Sequence, residues 1–215
     1  MESSTLLNDL NGRLGFIGRF YLKAVRPFET TQRKIVREKE AYLSRGSDSP
    51  GFIEEDWNEA TKCVQVLGQC CLGLLEKVLH DYLRKFTDRQ GGVVEKKSGN
   101  WFKRYCDFLT QRTSFEWARS PVSHNQIEQI NLSRNDCAHA LDIDGEQPAQ
   151  SQEHFKKHPR SRFSDELERA IRTAMDGREP DFPISLSVTK HELFSALADV
   201  KRFCEFVETQ KGLKP

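Results

Sequence analysis

Arg134, Asn135 and His139 fall within one short stretch, Ser123 to Ile143, and of all the residues here they are best suited to chemistry on a charged group. Histidine is the side chain whose ordinary pKa lets it move a proton near neutral pH. A guanidinium stays cationic and offers a planar fork of donors to an oxyanion. Ser123 followed three residues later by Gln126 has the form of a capping box, so a helix is predicted to start there. From that start Ile127, Ile130, Cys137, Ala138 and Leu141 recur at the three-and-four spacing of an apolar stripe, and Arg134 occupies the position that continues it. A cation on such a stripe loses hydration and needs an anionic partner, a wet cleft or a facing subunit. On the adjoining face Asn131, Asn135 and His139 repeat every four residues, with Asp142 three further on, which puts the Asn135 amide within reach of the His139 imidazole. The spacing is compatible with two readings. Arg134 is a structural ion-pair member beside a solvated histidine, or it is an anion site with a proton-transfer group nearby.

The elements around this stretch read as helices. At 215 residues the chain is long enough for one well-filled core and short for two domains. Basic and acidic residues number 33 and 32, so any nucleic-acid contact must come from a local patch rather than a global field. Six cysteines form no CxxC pair and no Cys/His zinc spacing; they sit mainly at apolar helical positions, which implies a reducing, cytoplasmic setting without metal or cofactor. No run of eighteen apolar residues suggests a membrane span.

Leu6, Leu7, Leu10, Leu14, Ile17 and Tyr21 predict a first helix over 4–24, softened by Gly12, Gly15 and Gly18. Pro27 reads as an early-turn residue of a second helix running to about Ser44, and the loop-like RGSDSPG over 45–51 marks a boundary. The longest apolar stripe runs from Asp56 to Thr87 and includes Cys70, Leu74, Leu75, Leu79 and Phe86. His80, on the flank of that stripe, reads as a structural histidine. A helix over 101–111 follows, and Phe115 and Trp117 beyond it read as core plugs. The polar segment 144–162 reads as a solvated loop with the densest positive charge in the chain, including Lys156, Lys157, Arg160 and Arg162, which could hold a phosphate backbone. Ser164 is expected to cap a short helix with Leu167, Ala170, Ile171 and Ala174 turned inward. Ile184 to Val188 alternates as an extended piece, and Thr189 with Glu192 forms a capping box for a last helix to about Gln210.

An arginine and asparagine followed by three residues and a histidine, late in an all-helical domain of this size, resembles the RNase motif of the HEPN superfamily (higher eukaryotes and prokaryotes nucleotide-binding domains). Arg134, Asn135 and His139 match that motif position by position, and the similarity of context spans roughly Phe52 to Gln210. The resemblance implies an all-α, HEPN-like helical bundle over 52–212; it does not explain the first fifty residues, which read from their own pattern as an N-terminal helical hairpin extension over 1–46. It also implies a metal-independent endoribonuclease, of toxin or antiviral-defence type, in which RNA is cleaved by attack of a 2'-hydroxyl on the neighbouring phosphate. His139 would move the proton, Arg134 would stabilise the phosphorane, and Asn135 would orient the imidazole or hold a phosphate oxygen. The alternative is a non-catalytic helical module that binds RNA, a nucleotide or a partner protein. Residues five apart on a helix point about 140° away from each other. Either the helix is distorted or two copies face each other across a two-fold axis; the resemblance implies the latter, a homodimer, and leaves room for a neutralising partner protein.

Overall fold

The computed structural model of the chain describes residues 2–43, 51–94, 100–139, 149–159, 161–174 and 185–210. Two long helices, α1 (Glu2–Leu43) and α2 (Gly51–Arg89), form its spine. They run antiparallel: Asp9 pairs with Lys85, Arg13 with Asp81 and Gln32 with Thr61, so numbers rise along one helix as they fall along the other. The two-helix hairpin expected within 1–46 is instead one continuous 42-residue helix with Pro27 inside it. An interior proline disfavours a helix by about 3 kcal/mol. Here Val25 and Ile35 are buried on either side of it, and packing against α2 through both halves outweighs that penalty. On this helix Leu10, Leu14, Ile17, Tyr21 and Val25 share one core with Leu75, Leu79 and Val200.

α2 buries Leu72, Leu75, Leu79, Leu83 and Phe86 as its periodicity predicts. Cys70 and Leu74, expected on that stripe, are exposed, and with Val66 they form a line at four-residue intervals on the opposite face. The apolar stripe is wider than the neighbours that cover it. Gly91, with φ 66°, turns the chain at the end of α2.

The last helix, α7 (Lys190–Thr209), opens on the capping box of Thr189 and Glu192, with both reciprocal hydrogen bonds present. Its stripe of Leu193, Ala196, Leu197, Val200, Phe203, Cys204 and Val207 is buried throughout. The piece before it lies extended across α2, where Val188 N donates to Gln65 Oε1 and Gln69 Nε2 to the Leu186 carbonyl. Gly68 permits this approach, since a Cβ there would stand 2.5 Å from the Val188 carbonyl oxygen. Ser185 and Leu186 make isolated bridges to Ala149 and Ser164 rather than a sheet.

α3 (Trp101–Arg112) is capped by Asn100, whose Oδ1 accepts from Phe102 N, and it buries Phe102, Tyr105, Cys106 and Leu109. Between α3 and the next helix Phe115 is fully buried and Trp117 stacks on Phe203, so both plug the core as expected. His80 packs edge-on against Trp101 and Tyr105, and burial lowers its pKa. Two short helices, α5 (Gln152–Lys157) and α6 (Glu166–Ala174), follow α4 (His124–His139). α6 departs from expectation twice. Its cap is Asp165 rather than Ser164, whose hydroxyl turns inward to the Ser161 carbonyl. Leu167, Ala170, Ile171 and Ala174 are exposed, and Glu168 of this helix accepts from Ser185 N through Oε2. The fold is all-α, and among the described residues no helix is long and apolar enough to cross a membrane.

Candidate active site

α4 starts where the capping box predicts, with Ser123 N donating to Gln126 Oε1 and Gln126 N to Ser123 Oγ. Its first half buries Ile127, Ile130 and Asn131. In its second half the same line of the helix carries Arg134 and Ala138, both exposed, while Ser133, Asp136 and Cys137 turn inward. The apolar stripe thus ends at Arg134, and Ala138, expected inside, faces solvent. Arg134 interrupts no core; it stands at the edge where cover runs out, with its side chain 44% exposed.

Two groups hold it there. Its Nη1 donates to Asn135 Oδ1 at 3.2 Å, and its Nε lies 3.7 Å from Glu76 Oε2 on α2. Glu76 is buried, and burial raises its pKa, while Arg134, a hydrogen bond from Trp101 and Lys77 act against that rise. The Asn135 amide, expected near His139, therefore serves Arg134. His139 is the last residue of α4, and its side chain lies outside the described residues. Glu76 was not singled out from the sequence, although it left a signal there: it occupies the turn between Leu72 and Leu79 on the helix with the longest apolar stripe, and a carboxylate there needs a cationic partner.

The segment expected to hold a phosphate backbone is built differently. Lys156 is exposed as required. Lys157 is engaged with Glu153 at 2.9 Å and Glu128 at 3.7 Å. Arg160 lies outside the described residues. Arg162 is not a phosphate ligand in this arrangement: Nη1 donates to Asp199 Oδ2 at 2.6 Å, Nη2 donates to Ser195 Oγ at 2.7 Å, and the side chain is largely buried. Nor are its described residues, 149–159 and 161–162, a solvated loop. Ser151 caps α5, and two of its histidines dock on α4, with His154 Nδ1 donating to Asp136 Oδ2 at 2.6 Å and His158 Nε2 to Glu128 Oε2 at 3.0 Å. Burial lowers the pKa of His158, with Glu128 acting in the other direction. Asp136, in the middle of the Arg134–His139 motif, therefore fastens α5 to α4 and is not free to act on a ligand.

A concavity of ≈ 380 Å³ opens beside the start of α4 and is lined by Cys106, Trp117, His124 and Glu128 among others. Fold and site together define a helical bundle that carries an edge-exposed arginine on a capped helix. No family model, curated protein or solved structure matches the chain.

Proposed function

We propose that the protein is a metal-independent endoribonuclease of HEPN type that works as a homodimer. The observation that carries the reading is Arg134: within an Arg-Asn-x-x-x-His helix it is solvent-accessible, and Asn135 holds it in place rather than a tight ion pair. In the reaction the 2'-oxygen of one nucleotide bonds to the adjacent phosphorus. The phosphorus–5'-oxygen bond breaks, leaving a cyclic phosphate and a 5'-hydroxyl. A neutral His139 accepts the 2'-hydroxyl proton, and a protonated His139 from the second copy gives one to the leaving oxygen. Arg134 faces the charge that accumulates on the phosphorane.

The second copy supplies what one helix cannot, since positions 134 and 139 diverge by about 140°. The exposed line of Val66, Cys70 and Leu74 runs along the helix that carries Glu76, and apolar surface of that kind supports a contact between copies beside the motif. Glu76, by partly neutralising Arg134 within its own chain, is the observation that favours the other reading, a binding module without catalysis.

Incubating the purified protein with cellular RNA in chelator separates the two. Cleavage by the wild type and none by Arg134→Ala or His139→Ala supports the nuclease. Binding without cleavage supports the module, and undiminished cleavage by both variants removes the site. A toxin or defence role adds one expectation, growth arrest on expression that His139→Ala relieves.

A further inference from the structure

The outward face of α1 carries one sign of charge over much of its length. Arg19, Lys23, Arg26, Arg33 and Arg37 are all exposed, and at 100° per residue they fall within an arc of about 80°. Thr30 fills the gap between Arg26 and Arg33 on the same line. At the rise of an α-helix the row is about 27 Å long. Glu29 is the only carboxylate between positions 19 and 37, and it sits at the edge of the row, where its main-chain carbonyl accepts from Arg33 Nε at 3.1 Å. Among the described residues none of the five cations forms an ion pair, whereas Arg13, earlier on the same helix, is paired with Asp81. In a chain with 33 basic and 32 acidic residues, such a row is a local excess of charge that its own fold does not neutralise.

The row ends beside an exposed aromatic ring. Arg33, Val36 and Arg37 line a concavity of ≈ 500 Å³ together with Trp57 of α2, whose side chain is 38% exposed and meets no other ring among the described residues. Glu54, Glu55, Asp56 and Glu59, exposed on the same turns of α2, repel phosphates, so the row stops at the indole and does not continue onto that helix.

A line of fixed cations closing on an indole suits a flexible polyanion whose charges recur along its length and whose bases can stack, which is single-stranded nucleic acid. An anionic bilayer is the competing occupant, because Phe16 and Phe20 lie exposed and stacked, 6.1 Å between centroids, near the start of the row. Against it, the apolar stripe that α1 would have to insert, Leu10, Leu14, Ile17, Tyr21 and Val25, is buried in the core.

We propose that α1 is the track that holds single-stranded RNA, with phosphates on Arg19, Lys23, Arg26, Arg33 and Arg37 and a base on Trp57. The choice of RNA rests on the nuclease reading and deepens it, by assigning to the first helix the backbone contacts that Arg162 does not make.

The test is equilibrium binding of a labelled single-stranded RNA of about twenty nucleotides over a salt series, with the full chain carrying His139→Ala so that the RNA stays intact. Vesicles of phosphatidylserine and phosphatidylcholine form the second arm. Five phosphate contacts predict that log K falls with log salt at a slope of about −3.5. Arg19→Gln, Arg26→Gln and Arg33→Gln together should lessen that slope by about 2 and weaken binding at least tenfold at about 0.1 M salt. Trp57→Ala should weaken binding about fivefold or more and leave the slope unchanged. All four side chains are exposed, so the variants should fold. A slope unchanged in the triple variant, an affinity unchanged in Trp57→Ala, or vesicle binding that the triple variant loses while it keeps RNA would overturn the proposal. RNA held with this slope but never cut by the chain with His139 intact would leave the track standing and sink the nuclease. Long RNA cut equally well by the triple variant would do the reverse.

Discussion

Replacing Glu76 by Gln keeps the shape and the Trp101 hydrogen bond while removing the carboxylate beside Arg134. If Arg134 is a phosphate ligand, Glu76 competes with RNA for it, and the substitution should tighten binding. Two unit charges about 4 Å apart interact by about 4 kcal/mol at the dielectric of a protein surface and by about 1 kcal/mol in water. Arg134 is 44% exposed and its closest nitrogen is 3.7 Å from Glu76, so the lower figure applies. About 1 kcal/mol corresponds to roughly fivefold in Kd. The assay is equilibrium binding of a short RNA in the His139→Ala background, which prevents cleavage. The gain should vanish in Arg134→Ala, as a double-mutant cycle requires. An unchanged Kd, or the same gain without Arg134, would refute the role assigned to the guanidinium.

Gly68→Ala drives a Cβ toward the Val188 carbonyl and should destabilise the fold by about 1–3 kcal/mol, read as a fall in Tm of roughly 2–4 °C per kcal/mol. Arg162→Ala leaves the buried Asp199 with Arg202 alone, so a loss of about 2–3 kcal/mol in urea unfolding is expected, with RNA affinity of the folded protein unchanged. His158 has a folded pKa below its ordinary value, so between the two values the unfolded chain binds more protons than the folded one. Its contribution therefore falls as pH drops from about 6.5 toward the folded pKa. His158→Gln should flatten that part of the stability profile, and an equally steep profile in the variant would place the dependence elsewhere.

Periodicity and capping boxes were enough to place α2, α4 and α7, because long amphipathic helices and Ser/Thr-x-x-Gln/Glu starts depend on local chemistry. Pro27 misled, since its local preference to break a helix is overruled by burial on α2, a contact with residues more than thirty positions away. The dense charge of 154–162 misled for a related reason. Composition cannot tell a basic side chain that meets solvent from one whose carboxylate arrives from another helix, as Asp199 does for Arg162. The same blindness hid Glu76, and the four-residue spacing of Asn135 and His139 hid the hydrogen bond that Asn135 makes to its neighbour Arg134.

The most direct measurement is mass spectrometry of the RNA ends left by the purified protein. Attack by the 2'-hydroxyl predicts fragments with a 2',3'-cyclic phosphate on one side and a 5'-hydroxyl on the other, absent from Arg134→Ala and His139→Ala reactions. Fragments carrying 5'-phosphates, or cyclic-phosphate ends produced undiminished by both variants, would contradict it.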